Sequence, residues 1–155
     1  MFNQNLVNTL KLISQRLNEN KVIWAIVGST NLALQGIEIT PRDIDIILTI
    51  ENLVKLKNIF PEYSVTEIEE KQSTRGSSYW RVLIEINGIE VEILGEKENG
   101  VYTDNLLAGN KLEILLDDTN IFCLTLQSEI YAYRETGRQN RVEMIEKFLL
   151  IQNNK

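Results

Sequence analysis

The residues with the clearest potential for chemistry are two aspartates separated by one isoleucine. Asp43 and Asp45 alternate with Ile44 and Ile46. In an extended strand, residues i and i+2 point to the same side, about 6.6 to 7 Å apart. The pattern therefore predicts a strand that sends two isoleucines into the core and aims two carboxylates from its other face, where they could bind a divalent cation.

A glycine and a serine just upstream predict a place for phosphate groups. Gly28 and Ser29 follow an apolar run that ends at Val27, and a short helical segment comes next. The first turn of a helix offers unpaired backbone N–H groups and the positive end of the helix dipole, and serine adds a hydroxyl. The sequence thus encodes a phosphate-binding turn close to the aspartate pair.

A third acid falls in a later strand. Glu92 lies between Val91 and Ile93, and Glu90 and Glu96 are its acidic neighbours. Which of the three accompanies the aspartates stays open, because a strand rich in glutamate also serves to keep a sheet edge soluble.

Composition limits the class of protein and the kind of chemistry. The 155 residues are 43% hydrophobic and 25% charged, which is typical of one globular domain spanning 1–155. No signal-like start and no apolar run long enough for a membrane span are present, so we expect a cytoplasmic protein. One cysteine and no histidine exclude an internal disulfide, histidine-ligated zinc and histidine general bases. A net charge of −6 argues against nucleic-acid binding and favours a small molecule or a protein as substrate.

The elements that must position these groups alternate along the chain. Hydrophobic periodicity and turn residues predict helices at 4–18, 29–35, 51–60, 125–136 and 139–151, and strands at 22–27, 43–48, 63–70, 80–86, 89–94, 111–116 and 121–124. Ser29 is the expected N-cap of the second helix, and Gly36 its end. We expect a mobile surface loop at 72–78, and loops and added elements at 70–79 and 95–110.

The sequence Asn87-Gly88 between alternating strands predicts a two-residue hairpin turn. The pairing around this turn puts Glu90 and Glu92 on one face of the hairpin. The opposite, apolar face is formed by Val82, Ile84, Ile86, Ile89, Val91 and Ile93.

Gly28-Ser29, Asp43-x-Asp45 and Val91-Glu92-Ile93 together resemble the three-part signature of the DNA polymerase beta nucleotidyltransferase superfamily. The chain is similar in particular to its small stand-alone members, over about residues 1–150, and shares its outline with lincosamide-type and antitoxin-type nucleotidyltransferases. The matching segments are Trp24-Ala25-Ile26-Val27-Gly28-Ser29, Ala33-Leu34-Gln35-Gly36, Thr40-Pro41-Arg42-Asp43-Ile44-Asp45, Val91-Glu92-Ile93-Leu94-Gly95-Glu96 and Tyr131-x-x-Arg134-x-x-Gly137-Arg138.

The resemblance implies a fold and a reaction. The fold would be α/β (α+β), with a small mixed twisted β-sheet and helices packed mainly on one face. The activity would be metal-dependent transfer of a nucleoside monophosphate from a nucleoside triphosphate, with ATP favoured, to a hydroxyl on a small molecule or partner protein. Pyrophosphate would be released.

The resemblance also assigns roles to residues. Asp43, Asp45 and Glu92 would hold Mg²⁺ or Mn²⁺, and Glu92 would also take the proton of the nucleophile. Gly28, Ser29 and Arg138 would bind the nucleotide, with Arg134 as a second basic candidate. Two departures from the family pattern are a glutamate at position 92, where aspartate is more usual, and Asn140-Arg141, where related enzymes carry Lys-Asp.

Other interpretations stay open. The same fold could be a non-catalytic module that binds a nucleotide or a partner, including an antitoxin-like role beside a small helical protein, and a homodimer could complete the site. Arg134, Arg138 and Arg141 could instead be solvated or paired on helix faces. Cys123 fits an inert core position, and Trp80 could pack in the core or stack on a base.

Overall fold

A seven-stranded mixed sheet forms the centre of the protein. The computed structural model describes residues 2–73, 77–97 and 99–154. The strands are β1 (Trp24–Val27), β2 (Ile44–Thr49), β3 (Glu69–Gln72), β4 (Ser78–Ile86), β5 (Ile89–Glu96), β6 (Lys111–Leu116) and β7 (Thr119–Leu124). They lie in the order β3-β4-β5-β2-β1-β7-β6. The pairs β2–β5 and β1–β7 are parallel and the others antiparallel, which confirms the mixed sheet expected from the sequence.

Helices connect and cover these strands. They are α1 (Gln4–Glu19), α2 (Gly28–Leu34), α3 (Leu56–Ile59), α4 (Thr103–Leu107), α5 (Leu126–Glu135) and α6 (Gln139–Asn153), with a 3₁₀ helix at Ile50–Lys55. None of the helices in the described ranges has both the length and the apolar character needed to cross a membrane.

Helix α1 packs its apolar stripe on one face of the sheet. Its residues Leu6, Leu10, Ile13 and Leu17 recur at helical spacing and are buried against strand residues such as Ile46. Burial of each such side chain contributes about 1.5–3 kcal/mol. The core on this face therefore forms a rigid support under the strands that carry the acids.

The opposite face of the sheet is only partly apolar. Ala25, Val27, Ile47 and Leu124 pack there with Leu106 of α4. A further cluster joins α2, α5 and α6 through Leu32, Leu126, Tyr133, Val142 and Ile145. Since side chains alternate along a strand, this second face is also the one that carries Asp45 and Glu92.

The predicted hairpin is confirmed, together with its register. Asn87 and Gly88 both have positive φ, 54° and 77°, as a two-residue type I′ turn requires. Ile86 pairs with Ile89, and Val82 pairs with Ile93. The second hairpin turns more tightly than expected, because Thr119 already pairs with Leu116 and leaves a turn of two residues.

Several predicted boundaries are wrong. The helix expected at 51–60 is a 3₁₀ helix followed by the four residues of α3, and the strand expected at 63–70 is β3, at Glu69–Gln72. The strand expected at 89–94 extends to Glu96, and the segment 95–110, where loops and added elements are expected, also contains helix α4. Of the expected loop 72–78, residues 74–76 lie outside the described residues. At the 3₁₀ helix, β3 and α4, tertiary packing decided between weak local preferences.

Candidate functional site

The parallel pairing of β2 and β5 brings two of the predicted acids together. Asp45 is the register partner of Glu92, and the flanking pairs are Ile44 with Val91 and Ile46 with Ile93. Neighbouring strands lie about 4.8 Å apart, so the carboxylates leave the same face side by side. Glu90 is exposed nearer the hairpin turn, where its register partner is Glu85.

Glu96, the other acid near Glu92, has a structural role. It is buried, and its Oε1 accepts hydrogen bonds from the backbone N–H groups of Tyr102 and Thr103, at 2.9 and 2.8 Å, and from the Thr103 hydroxyl. Its carboxylate thereby satisfies donors at the start of α4.

Asp43 lies one residue before β2 and is exposed. Its backbone carbonyl accepts a hydrogen bond of 2.7 Å from the Thr30 hydroxyl, which ties this bend to α2. Its charge is among those that raise the pKa of Asp45. Even so, the described residues, 2–73, 77–97 and 99–154, contain no group of three carboxylate, cysteine or histidine side chains close enough together to hold a metal ion.

Asp45 is held in a strongly negative environment. Burial, followed by the charges of Glu92, Asp43 and Glu90, raises its pKa to about 7, and the charge of Arg138 opposes this rise. A half-buried carboxylate among three others is a place where a cation would be stabilised.

Glu92 already has a cationic partner. Arg81 of β4 donates from Nη1 to Glu92 Oε2 at 2.9 Å and from Nε to Glu69 Oε1 at 3.2 Å. Asp45 is therefore more available to a cation than Glu92 is.

The turn between β1 and α2 approaches Asp45 closely. Gly28 has φ +73°, and a Cβ atom at this position would lie 2.7 Å from Asp45 Oδ2. The structure also corrects the predicted cap: α2 begins at Gly28 with Val27 as its N-cap, so Ser29 belongs to the first turn. The Gly28 N–H donates to a distant carboxylate, that of Glu129, at 2.7 Å.

Glu129, which no pattern in the sequence singled out, is fully buried on α5. Its Oε2 accepts from Gly28 N and from Asn31 Nδ2, at 2.7 and 2.8 Å, and its Oε1 accepts from the Tyr102 hydroxyl at 3.0 Å. Burial raises its pKa to about 7 although these hydrogen bonds favour the charged form. The available signal was its position, since Glu129 shares a helix face with Leu126, Ala132 and Tyr133 at spacings of three to four residues.

Arg138 lies at the N-cap of α6, with its guanidinium 5.3 Å from the centre of the Tyr133 ring. Arg141 lies 5.9 Å from the same ring. The Tyr133 hydroxyl and Arg141 Nη1 are buried and have no hydrogen-bond partner in the described part of the chain. Arg134 differs, because its Nη2 lies 3.1 Å from Glu146 Oε2.

A cavity of about 340 Å³ lies beside Glu92 and Arg138. Glu92 and Tyr79 line it from the sheet, Tyr102 from the segment before α4, and Tyr133 and Arg138 from the C-terminal helices.

Cys123 and Trp80 lie outside this cavity. Cys123 is fully buried, and burial raises the pKa of its thiol to about 12, as an inert core residue requires. Trp80 packs against the core on the sheet face opposite Glu92, with the Lys97 ammonium 5.1 Å from the ring centre. It is therefore not placed to stack on a base in this cavity.

The fold and this carboxylate-lined cavity define a nucleotidyltransferase-like protein. A family model described as aminoglycoside-2''-adenylyltransferase matches residues 9–147, most of the chain. The chain belongs to this family. No curated protein matches it.

Solved structures support the same class. A proposed nucleotidyltransferase from Thermotoga maritima, TM1012, is 28% identical with a TM-score of 0.74, over 100% of this chain and 97% of that one. The antibiotic-resistance factor ANT(2'')-Ia is 16% identical, with a TM-score of 0.63 over 96% and 86% of the two chains. The lincosamide adenylyltransferase LnuA, with lincomycin bound, is 12% identical, with a TM-score of 0.52 over 94% and 97%. The last two likenesses show a shared fold.

Proposed function

We propose that this protein transfers a nucleoside monophosphate, with ATP as the favoured donor, to a hydroxyl group of an acceptor molecule. The observation that carries the proposal is the pairing of Asp45 with Glu92 on adjacent parallel strands, since Glu92 lines a cavity together with Arg138. The acceptor oxygen forms a bond to the α-phosphorus, the bond from that phosphorus to the pyrophosphate oxygen breaks, and the hydroxyl proton passes to a carboxylate. Glu92 is the proposed acceptor of this proton.

The residues fit a divalent cation by their chemistry. Asp45 is an oxygen ligand whose pKa is raised by burial and by neighbouring carboxylates, and it forms no ion pair among the described residues. Asp43, Asp45 and Glu92 would hold Mg²⁺ or Mn²⁺. For Glu92 to take part, its ion pair with Arg81 would have to break. The cation would supply charge neutralisation on the reacting phosphate.

Arg138 and its surroundings support binding of the phosphates. The guanidinium opposes the negative charge at Asp45, and the nearby Tyr133 hydroxyl and Arg141 Nη1 have no partner in the described residues. Buried donors without partners are uncommon and are satisfied when an anion is bound. Gly28 and Ser29 would contact the same end of the nucleotide, with Ser29 offering its hydroxyl because the Gly28 N–H is bound to Glu129.

The volume of the cavity, about 340 Å³, lies in the range of small-molecule sites, and the nucleotide would occupy part of it. Among proteins of this fold, ANT(2'')-Ia has been solved with adenylyl-2''-tobramycin and LnuA with lincomycin. A hydroxylated small molecule is accordingly the first acceptor to screen.

Calorimetric titration of ATP, GTP, CTP and UTP, with Mg²⁺ or with EDTA, tests the proposal. We expect saturable, Mg²⁺-dependent binding that Asp45→Asn abolishes and that Glu113→Gln, a charge change on the exposed side of edge strand β6, leaves intact. A screen of hydroxyl acceptors for pyrophosphate release then tests transfer. Binding unaffected by EDTA and by Asp45→Asn would overturn the metal-dependent mechanism.

One observation favours a second candidate, a non-catalytic module that binds a nucleotide or a partner. The ion pair with Arg81 neutralises Glu92, the acid proposed to receive the proton. Nucleotide binding without pyrophosphate release for any acceptor would support this module. An antitoxin-like role, a small helical partner, a homodimer and a cytoplasmic location stay predictions.

A further inference from the structure

We propose that Glu129 is a positioning residue, which acts through Gly28 to fix the Asp45 carboxylate and through Tyr102 to fix the cavity wall. The inference rests on the proposed function for its kinetic consequence, whereas the chain of contacts can be tested without it. Glu129 does not line the cavity, and its hydrogen bonds within the described residues go to Gly28, Asn31 and Tyr102 rather than to a proposed metal ligand.

The first step is the bond between Glu129 and the turn. The Gly28 N–H donates to Glu129 Oε2 at 2.7 Å, and the Asn31 side-chain amide donates to the same oxygen at 2.8 Å. The Asn31 amide also donates to the Leu124 carbonyl at 2.9 Å. The turn is thus bound at two points to α5 and β7.

The next contact joins the turn to the Asp45 carboxylate. The Gly28 backbone approaches Asp45 so closely that a Cβ atom would lie 2.7 Å from Oδ2. Because Gly28 is in contact with this carboxylate, a displacement of the turn displaces Asp45 or opens a gap beside it.

The third step leads to the cavity wall. The Tyr102 hydroxyl donates to Glu129 Oε1 at 3.0 Å, and Tyr102 lines the cavity. One buried carboxylate therefore connects both sides of the proposed site.

The energetics argue against a purely structural role for Glu129. A carboxylate that is fully buried, with no cationic partner within the described residues, carries a desolvation cost that an apolar side chain would avoid. The charge of Asp45 adds to that cost. Three donors converge on Glu129, and only a carboxylate accepts all of them while ordering two elements of the site.

The experiment compares Glu129→Ala, Glu129→Gln and Tyr102→Phe with wild type. In the amide NMR spectrum, we expect Glu129→Ala to shift the Gly28 signal upfield and to move the Asp45 signal with it. Glu129→Gln keeps an oxygen for Gly28 and Asn31 and should retain most of the wild-type shifts. Tyr102→Phe should leave the Gly28 signal nearly unchanged.

The kinetic comparison uses a variant that weakens the same helix elsewhere. Thr125 caps α5 by accepting a hydrogen bond from Ser128 N at 3.2 Å, and Thr125→Ala removes this cap. We expect Glu129→Ala to lower kcat about 10²-fold with little change in KM for the nucleotide. Glu129→Gln should restore most of kcat. Thr125→Ala should keep the wild-type kcat, although its loss of unfolding free energy should be comparable to that of Glu129→Ala.

Two results would overturn the inference. One is an unchanged Gly28 signal in Glu129→Ala, and the other is a loss of kcat in Thr125→Ala that matches the loss in Glu129→Ala. If the wild-type protein shows no turnover, the proposed function fails, and the coupled shift of Gly28 and Asp45 still decides whether Glu129 positions them.

Discussion

At the scale of single residues, Gly28 allows the turn after β1 to come into contact with Asp45. Gly28→Ala would combine a strained backbone, at φ +73°, with a Cβ atom 2.7 Å from Asp45 Oδ2. Gly109→Ala is the matched control, because φ is +79° there and a Cβ atom would have no neighbour within 4 Å. We expect about 1–2 kcal/mol of destabilisation for Gly109→Ala from backbone strain and about 1–3 kcal/mol more for Gly28→Ala from crowding.

Urea unfolding of both variants measures this difference, and nucleotide titration shows whether the crowding reaches the site. Only Gly28→Ala should lose Mg²⁺-dependent binding. Equal destabilisation of the two variants would mean that the close contact with Asp45 does not constrain position 28.

Arg138 and Arg134 carry the same charge in different surroundings. Both are exposed, but Arg138 lines the cavity, whereas Arg134 is paired with Glu146 at 3.1 Å. If Arg138 neutralises the phosphates, Arg138→Gln should weaken ATP binding at least tenfold and AMP binding much less, since a charge-assisted hydrogen bond contributes about 1.5–3 kcal/mol. Arg134→Gln should change neither affinity, and calorimetry with both nucleotides would reject the assignment if the two variants behaved alike.

The aspartate pair, Glu92 and the glycine of the turn can be singled out from the sequence because their signals are local, and their roles stay predictions. Residue spacing on a strand is enough to place Asp45 and Glu92 on polar faces. Glu129 could not be predicted in the same way, because its partner Gly28 is 101 residues away along the chain. The ion pair of Arg81 with Glu92 depends likewise on which strands become neighbours.

At the scale of elements, the turn between β4 and β5 sets the register that orients Glu92. Asn87 adopts φ 54°, and its side chain donates to the Thr9 hydroxyl of α1 at 3.2 Å. Asn87→Gly keeps the backbone conformation and loses this bond, whereas Asn87→Ala loses the bond and adds strain. We expect Asn87→Ala to be less stable than Asn87→Gly by about 1 kcal/mol in urea unfolding, and equal stabilities would contradict the strained-turn explanation.

Elements with strong local signals were predicted well and those decided by packing were not. The hairpins, α1 and α5 have turn residues or apolar periodicity of their own. Helix α4 has five residues, and its first donors bind Glu96 of β5, so its existence depends on a tertiary contact. The 3₁₀ helix packs against Gly95, where a Cβ atom would lie 3.0 Å from Ile50 Cα. The residues of α4 and of the 3₁₀ helix carry no local pattern that predicts these contacts.

At the scale of the whole molecule, stability should depend on pH through two unusual acids. Burial raises the pKa values of Asp45 and Glu129 to about 7. Both groups therefore bind protons more tightly in the folded state, and their stabilising contribution is complete below their unfolded values near 4 and is lost as the pH rises through about 7. Exposed acids such as Glu62, whose pKa Arg16 lowers to about 2, act in the opposite direction only below about pH 4.5.

The free energy of unfolding should accordingly fall between about pH 5 and pH 8. Glu129→Gln mimics the protonated acid at every pH, so this variant should lose less stability across that range, with a gain over wild type on the order of 3 kcal/mol by about pH 8. Guanidinium unfolding of wild type, Glu129→Gln and the distant control Glu113→Gln across this range measures the slopes. A wild-type stability that rises towards pH 8, or a slope that Glu129→Gln leaves unchanged, would show that the buried carboxylate is already ionised at acid pH, with its three hydrogen bonds outweighing the cost of burial.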